Sequence, residues 1–312
     1  MESLELVIIG AGAAGLAAGI YAARSGLKTL ILEEKLAGGN TADAPIIENY
    51  PGFLSISGRE LAQKMLAHCK KFNVEIHEME RVTGLNLKSE RKTVKTDKAV
   101  YETKTVIIAS GTHYRELGVP GEKEFYGRGV SYCGVCDGPL FKGKRVLVVG
   151  GGNAAAITAL YIAGLASQVK LSHRRDVLRA EESLVKTLES KENVEILWNT
   201  ELKEVKGKDL VEKVTLFNNK TGDTWELKID GVFVQVGEAP NSQLAREAGV
   251  KVDEGGYIVV DVRQRTNIAG VYAAGDVTNH PVKQVGTAVG QGITAALEAY
   301  GYVRRPYYYE AY

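Results

Sequence analysis

The sequence predicts an α/β protein with two doubly wound folds, the second inserted into the first. The chain has 312 residues, about twice the ~150 that serve as a rough guide for one domain. A pattern of strand, glycine-rich turn, helix and strand begins at Leu4 and recurs at Arg145. A further apolar strand followed by a helical pattern comes late, from Gly270 onward. We therefore expect two Rossmann-like dinucleotide-binding domains, the first of them discontinuous.

Composition narrows the class of protein. The chain is 45% hydrophobic and 25% charged, which excludes general disorder. Its 39 basic and 38 acidic residues give a net charge of +1, so no overall field favours nucleic acid or an anionic membrane. Three cysteines are too few for a secreted disulfide scaffold, and we expect a cytoplasmic protein.

Two uncharged stretches, Leu6–Ala23 and Val146–Val169, are long enough to be considered as membrane spans. Both are interrupted by clustered glycines, which are typical of tight turns rather than of a continuous spanning helix. The N-terminus also lacks the basic segment of a signal peptide. We predict that neither stretch enters a membrane.

The first pattern has the G-x-G-x-x-G turn of a dinucleotide-binding fold in its required context. Gly10 allows the sharp turn, Gly12 lets the backbone approach a pyrophosphate, and Gly15 lets the helix pack on the strand. The free N–H groups of the helix then face the phosphates. Glu33 ends the second strand, where a carboxylate accepts hydrogen bonds from a ribose 2′-hydroxyl.

The second pattern carries cations where the first carries an acid. His173 follows Gly150 by 23 residues, the separation between the first turn and its acid. Arg174 and Arg175 come next, and Arg179 lies one turn further on. Guanidinium groups bind a 2′-phosphate through paired, charge-assisted hydrogen bonds, whereas a carboxylate repels it. The second fold is therefore predicted to bind NADPH.

The remaining apolar runs define the boundaries of the two domains. The runs 105–112 and 231–237 are predicted to close the two nucleotide folds, and residues 81–103 alternate like a small antiparallel meander. The late strand 270–276 and the helix 287–299 return the chain to the first fold. The predicted domains are 1–115 with 246–312, and 116–245.

Cys133 and Cys136 form the one C-x-x-C pair, and three interpretations of it were compared. A zinc site needs four ligands, and the remaining histidines are scattered. Two structural cysteines would not need this spacing. A redox dithiol fits best, because the spacing allows a disulfide and can lower one thiol pKa. Asp137 is either an acid for a leaving thiolate or a turn residue, and Cys69 lies in a helical segment where it is expected to pack.

A hydride donor and a dithiol do not exchange electrons efficiently by themselves, because hydride leaves carbon as a two-electron unit. A flavin mediates such a transfer, and the first nucleotide fold is where the ADP half of FAD would bind.

Five motifs, in order along the chain, resemble those of the low-molecular-weight thioredoxin reductases, essentially over the full length. They are the first glycine turn, Gly38-Gly39-x-Thr41 with Glu48-Asn49-Tyr50-Pro51-Gly52, Cys133-x-x-Cys136-Asp137-Gly138, the second glycine turn with His173-Arg174-Arg175, and Gly275-Asp276.

This resemblance implies a homodimeric flavoprotein with an FAD domain split around an NADPH domain that carries the dithiol. Cys136 would receive electrons from the flavin, and Cys133 would attack the disulfide of thioredoxin with Asp137 as the acid. The NADPH domain of such enzymes rotates between two states.

The resemblance also assigns the cofactor residues. Those for FAD are Gly10, Gly12, Ala13, Ala14, Gly15, Glu33, Glu34, Gly38, Gly39, Asn40, Thr41, Asn49, Gly111, Gly275, Asp276, Lys283, Gln284 and Val285. Those for NADPH are Gly150, Gly152, Asn153, Ala154, Ala155, His173, Arg174, Arg175, Arg179 and Gly237.

The chain departs from the family pattern near the nicotinamide site. Asn153 and Ala154 replace Asp-Ser, and Ile157 lies at or beside the position of a common Glu. Asn40 replaces Gln, and Lys283 replaces Arg. These changes keep three alternatives open: a glutaredoxin-like acceptor, NADH or ferredoxin as the donor, or an NADPH sensor that does not turn over.

The C-terminus is rich in tyrosine. We expect this tail to pack on its own subunit or on a dimer partner, and the alternative is a tyrosine stacked on the flavin or at the nicotinamide entrance. The tyrosines concerned are Tyr302, Tyr307, Tyr308, Tyr309 and Tyr312.

Overall fold

A computed structural model describes residues 4–44 and 47–304, except for the side chains of Val135 and Cys136. The chain divides into two compact units, Met1–His113 with Ala239–Tyr312, and Tyr114–Glu238. The chain passes from the first unit to the second after His113 and returns to the first after Glu238. Most of the tyrosine-rich tail, namely Tyr307, Tyr308, Tyr309 and Tyr312, lies outside the described residues.

The strands are short and mostly buried. In chain order they are β1 (Leu4–Ile9), β2 (Thr29–Leu32), β3 (Glu75–His77), β4 (Val82–Asn86), β5 (Lys92–Thr96), β6 (Val100–Ile108), β7 (Thr112–Tyr114), β8 (Val130–Ser131), β9 (Arg145–Gly150), β10 (Gln168–Ser172), β11 (Val194–Leu197), β12 (Thr200–Gly207), β13 (Val211–Asn218), β14 (Thr224–Lys228), β15 (Gly231–Gln235), β16 (Glu238–Pro240) and β17 (Val271–Ala273).

The helices include the two that follow the glycine turns. In chain order they are α1 (Ala13–Arg24), α2 (Gly39–Ala42), α3 (Gly58–Lys71), α4 (Gly134–Asp137), α5 (Asn153–Ala163), α6 (Glu182–Glu189), α7 (Gln243–Glu247) and α8 (Val285–Arg304), with a 3₁₀ turn at Gly138–Phe141. Within the described part of the chain, no helix is both long and apolar enough to cross a membrane.

The first unit is built on a sheet in the order β3-β2-β1-β6-β5-β4, with β17 also paired to β6. The first half of β6 is antiparallel to β5, and its second half is parallel to β17. This double pairing explains why β6 begins before the predicted start at Thr105. The predicted meander is confirmed as β4, β5 and the start of β6.

The second unit repeats the parallel part of this arrangement. Its main sheet has the order β11-β10-β9-β15-β8, with all neighbours parallel, and β12-β13-β14 form a separate antiparallel sheet. Position for position, β3-β2-β1-β6-β17 matches β11-β10-β9-β15-β8. The two predicted strand–turn–helix–strand patterns are confirmed in both units.

The core of the first unit depends on close packing of α1 against α8. Gly292 of α8 faces the backbone of α1, where an added Cβ would lie 2.1 Å from the carbonyl oxygen of Ala14. Apolar side chains from β1, such as Leu6 and Ile8, complete this layer. The helix α8 extends beyond the predicted end at Ala299 and reaches Arg304, whose guanidinium pairs with Glu5.

Substituting Gly292 should therefore loosen the first unit. We expect Gly292→Ala to lower the free energy of unfolding by about 2 kcal/mol, because the new methyl group overpacks a backbone contact. Gly290→Ala on the same helix is the matched control: it is exposed and has open space, so a gain of roughly 0.5–1 kcal/mol is expected. Calorimetric unfolding of both variants tests the packing, and equal effects would contradict it.

Candidate active site

The turn between β1 and α1 brings the backbone too close for side chains. A Cβ at Gly10 would lie 2.3 Å from the carbonyl oxygen of Ala109, and one at Gly15 would lie 1.9 Å from that of Gly10. Gly12 precedes α1 as its N-cap residue and supplies no side-chain cap, and the nearest atom to its missing Cβ is the Cα of Gly39 at 4.0 Å. The first N–H groups of α1 therefore face open space suited to an anion.

Glu33 is held against this turn by the backbone. Its carboxylate accepts hydrogen bonds from the N–H of Ala11 at 2.8 Å and of Lys35 at 2.9 Å. Two bound backbone donors fix the carboxylate beside the turn, and its remaining lone pairs can accept from a ribose hydroxyl. The neighbouring Glu34 is exposed.

Two more of the residues predicted to contact FAD, Gly39 and Gly275, lie against the first turn. A Cβ at Gly39, which begins α2, would lie 3.2 Å from the Cα of Gly12, and one at Gly275 would lie 3.0 Å from the Cβ of Ala14. Gly38 precedes α2 as its N-cap residue, and Thr41 is a buried residue of this helix. Asn40 donates to the carbonyl and the hydroxyl of Thr112, one residue beyond Gly111.

The late part of the chain holds further residues predicted to contact FAD. Asn49 donates to the side-chain oxygen of Gln284 at 3.1 Å, across more than 200 residues of sequence. The ammonium group of Lys283 donates to the carbonyl of Asp276 at 3.0 Å and lies 4.2 Å from the ring centre of Tyr257. Val285, the first residue of α8, packs instead on a small apolar cluster.

The second turn, between β9 and α5, has the same construction. A Cβ at Gly150 would lie 2.2 Å from the carbonyl oxygen of Gln235, and Gly152 begins α5 without a side-chain cap and with open space around it. Asn153 exchanges hydrogen bonds with Glu181, at 2.8 Å each. Asn153 thus secures the segment that carries Arg179, whose N–H donates to the carbonyl of Gly151.

His173 occupies the place in the second unit that Glu33 has in the first. Its ring lies against Gly151, the counterpart of Ala11, and a Cβ on Gly151 would lie 2.1 Å from the ring. The side chain is 6% exposed, and its Nε2 has no hydrogen-bond partner among the residues described. Burial, followed by the charges of Arg179, Arg175 and Arg174, lowers the pKa of His173.

The three arginines predicted to bind the 2′-phosphate are exposed around this buried imidazole. The carbonyl of Arg174 accepts from the side chain of Asn219, and that of Arg175 accepts from the N–H of Asn199. The backbone of the pair is therefore fixed while the guanidinium groups face solvent. Ala154 and Ala155 lie in the first turn of α5, and Gly237 has a positive φ of 111° and open space.

Cys133 is disulfide-bonded and follows β8 at the carboxyl end of the sheet. The side chain of Cys136 lies outside the described residues, and the half-buried Asp137 ends α4.

Cys69 is free and buried, as its predicted packing role requires, and burial raises its thiol pKa to about 12. No cluster of metal-ligating side chains occurs in the described ranges.

The position of Cys133 has a counterpart in the first unit. There, β17 occupies the place of β8, and the residues that follow it are Gly275 and Asp276. Both strands run parallel to their neighbours, so their carboxyl ends lie at the same sheet edge as the glycine turn. The edge of the sheet that carries a predicted cofactor residue in one unit therefore carries a disulfide in the other.

Several residues of this region were not predicted from the sequence. Gln291 is buried on α8 and accepts from the N–H of Gly275 at 2.7 Å. Gln235 donates to the carbonyl of Tyr132, beside Cys133. A polar residue inside the apolar run 231–237 was the one available signal for Gln235, and nothing local distinguishes Gln291 from an ordinary helical glutamine.

These features define a class of protein, an oxidoreductase that couples dinucleotides to a disulfide. Each unit has an uncapped helix N-terminus, with an acid beside the first and cations beside the second. A disulfide lies at the edge of the second sheet. The described residues fit such cofactors. At Gly12 and Gly152 the absence of a Cβ leaves open space in front of helix N–H groups, which can bind the phosphates of a dinucleotide.

Comparison with known proteins agrees with this class. The family model described as pyridine nucleotide-disulphide oxidoreductase matches residues 4–292. The chain belongs to this family, and a thioredoxin reductase of Bacillus subtilis is 43% identical over 300 residues, covering 96% of this chain and 94% of the relative.

Solved structures give the same result. The chain is similar to a thioredoxin reductase of Lactococcus lactis, with a TM-score of 0.95 and 40% identity over 97% of this chain and 100% of that one. It is also similar to the T. acidophilum thioredoxin reductase, with a TM-score of 0.92 and 42% identity over 96% and 99% of the two chains.

The buried His173 should make the second unit sensitive to acid. Its pKa is lowered in the folded state, so below the ordinary value of about 6.5 the unfolded chain takes up a proton that the folded chain does not. Stability contributed by the neutral ring is complete above this pH and is lost as the pH falls. We expect His173→Gln to reduce the slope of the free energy of unfolding against pH, between pH 5 and 6.5, by up to about 1.4 kcal/mol per pH unit.

Both tryptophans, Trp198 and Trp225, lie in the second unit, so their fluorescence during denaturant unfolding reports this unit. His68→Gln, at an exposed position on α3 of the first unit, is the control and should leave the slope unchanged. An unchanged slope in His173→Gln would show that this ring does not carry the pH dependence.

Proposed function

We propose that the protein is an NADPH-dependent flavin disulfide reductase whose acceptor is thioredoxin. The proposal rests on the disulfide of Cys133, which lies at the carboxyl edge of the second sheet. The uncapped N-terminus of α5 and the arginines around His173 belong to the same unit. The similarity to thioredoxin reductases over nearly the full chain supports the choice of acceptor.

The first unit would hold FAD, corresponding to the predicted domain 1–115 with 246–312. The uncapped N-terminus of α1 would bind the pyrophosphate, and Glu33 would accept from the adenosine ribose. Other residues of this unit, including Asn40, Asn49 and Asp276, would orient the rest of the cofactor. When bound, FAD supplies the conversion of a hydride into electrons that a disulfide can accept.

The second unit would hold NADPH, corresponding to the predicted domain 116–245. The N-terminus of α5 would bind its pyrophosphate, while Arg174, Arg175 and Arg179 would bind the 2′-phosphate. The buried His173 supports the backbone beneath them and, with Nε2 free of a partner in the described part of the chain, can donate to or accept from the nucleotide.

The dithiol would carry out two exchange steps. The Cys133 thiolate attacks the acceptor disulfide, forming a mixed disulfide and releasing one acceptor thiolate, which Asp137 would protonate. The Cys136 thiolate then attacks the sulfur of Cys133, which restores the internal disulfide and releases the second acceptor sulfur as a thiolate that takes a proton from solvent. The acceptor gains two electrons and two protons, and the internal dithiol is oxidised.

We further propose a cytoplasmic homodimer without a nucleic-acid or membrane partner. The near-equal numbers of basic and acidic residues support the absence of nucleic-acid and membrane partners, because they create no overall attraction to polyanions. The low cysteine count supports a reducing compartment.

The arginine pair should set the choice of nucleotide. We expect Arg174→Ala with Arg175→Ala to weaken NADPH binding by about 10- to 100-fold, because each charge-assisted hydrogen bond contributes on the order of tenfold in affinity. Affinity for NADH should stay nearly unchanged. Binding titrations with both nucleotides test this, with Arg91→Ala, an exposed site in the first unit, as the control. An unchanged ratio of NADPH to NADH affinity would refute the assignment.

Removing one sulfur should separate the two halves of the reaction. We expect Cys133→Ser to lose more than 99% of NADPH-dependent thioredoxin reduction, because a hydroxyl cannot form the mixed disulfide, while NADPH still bleaches the flavin spectrum. Cys69→Ala is the matched control and should keep its activity, since this thiol is buried in the core.

Parallel assays with a glutaredoxin-like acceptor, and with NADH or reduced ferredoxin as the donor, distinguish the alternatives. Faster turnover with any of these than with NADPH and thioredoxin would replace the proposed function. A flavin that is reduced without turnover of any acceptor would favour a redox sensor.

A further inference from the structure

A buried carboxylate lies in the loop that leads to the disulfide. The side chain of Glu122 is 1% exposed. It accepts hydrogen bonds from three successive backbone N–H groups, those of Leu117 at 2.9 Å, Gly118 at 2.6 Å and Val119 at 3.4 Å. These bonds fold the loop around the carboxylate and fix its position, because a buried carboxylate without such donors would be strongly destabilising.

The fourth donor to this carboxylate is Tyr132, whose hydroxyl lies 2.7 Å from it. The ring of Tyr132 is stacked on Tyr114 at 6.3 Å and tilted against Tyr126 at 5.7 Å. Its carbonyl accepts from the side chain of Gln235 at 2.8 Å. Burial, together with Glu122, raises the phenol pKa, so the hydroxyl stays protonated and donates at any physiological pH.

Tyr132 is directly followed by Cys133, whose own backbone is held as well. The hydroxyl of Ser131 accepts from the N–H of Cys133 at 3.0 Å and is 3.2 Å from its carbonyl. On the other side, a Cβ on Gly134 would lie 2.8 Å from the methyl group of Thr158 on α5. The backbone that carries the Cys133 sulfur is therefore restrained from both directions.

We propose that Glu122 and Tyr132 are positioning residues that stabilise the disulfide form of the Cys133 couple. Neither residue exchanges protons or electrons in the reaction. A chain that is already restrained loses less conformational entropy when a disulfide closes, so the restraint raises the equilibrium constant for closure. The couple becomes more reducing, which favours electron transfer to an acceptor disulfide. The inference rests on the proposed role of Cys133 and Cys136 as the redox pair.

The test compares three variants of the holoenzyme. Tyr132→Phe keeps the ring and removes the hydroxyl that Glu122 holds. Tyr126→Phe removes a hydroxyl from the same aromatic cluster at a side chain that is 64% exposed. Glu122→Gln keeps the size and one acceptor oxygen, so it should partly retain the contact with Tyr132.

Each protein is equilibrated anaerobically in buffers of reduced and oxidised dithiothreitol, quenched in acid, alkylated, and analysed by mass spectrometry for the Cys133 peptide. For Tyr132→Phe we expect the equilibrium constant for disulfide formation to fall about 3- to 10-fold, because a hydrogen bond to a charged group contributes on the order of tenfold and part of it reaches the dithiol. A tenfold fall equals a potential shift of about 30 mV. Glu122→Gln should shift less, and Tyr126→Phe should match the wild type.

Equal equilibrium constants for Tyr132→Phe and the wild type would overturn the proposal, as would an equal shift in Tyr126→Phe. A lower melting temperature without a shift in the dithiol equilibrium would also overturn it, since that result assigns the pair to stability alone. The dithiothreitol equilibrium needs no nucleotide, so it decides the proposal even if NADPH fails to reduce the flavin, which would instead refute the proposed function.

Discussion

At the carboxyl ends of β1 and β9, the turn into the following helix lies so close to the neighbouring strand that no side chain fits between them. Gly10 approaches the carbonyl of Ala109 in the first unit, and Gly150 approaches that of Gln235 in the second. The N-cap residues that follow, Gly12 and Gly152, have no side chain, so the N-termini of α1 and α5 lack side-chain caps. Their N–H groups need other acceptors, and in the proposed function a dinucleotide pyrophosphate would supply them. The remaining parts of both sites are arranged around this requirement.

The two units place side chains of opposite charge beside the same kind of glycine turn. Glu33 reaches the turn of the first unit with a carboxylate, and His173 covers the turn of the second with a neutral, buried ring beside exposed arginines. The fifth strand then differs in origin: β17 comes from far along the chain and leads to Asp276, whereas β8 precedes its sheet and leads to Cys133. The same strand position thus leads to a predicted cofactor residue in one unit and to a disulfide in the other.

Much of this arrangement follows from local sequence. The glycine turns, the spacing to Glu33 and His173, and the C-x-x-C pair all depend on short segments whose chemistry is evident from residue type. The contacts that fix them do not. The hydrogen bond between Asn49 and Gln284 joins residues that are far apart in sequence, because the second unit is inserted between them. The hydrogen bond between Gln291 and Gly275 depends on how α8 packs in the fold. Glu122 gave no signal either, since one glutamate in a polar loop resembles any other until the fold buries it.

In the proposed function, bound nucleotide, flavin and the Cys133 disulfide would form one path for electrons. An anaerobic titration of the purified holoenzyme with NADPH, followed by flavin absorbance, tests it most directly. Full bleaching should require about two hydride equivalents per flavin, because one electron pair reduces the disulfide and another stays on the flavin. Full bleaching at about one equivalent, or no bleaching at all, would contradict it, because the disulfide would then lie outside the path or NADPH would not be the donor.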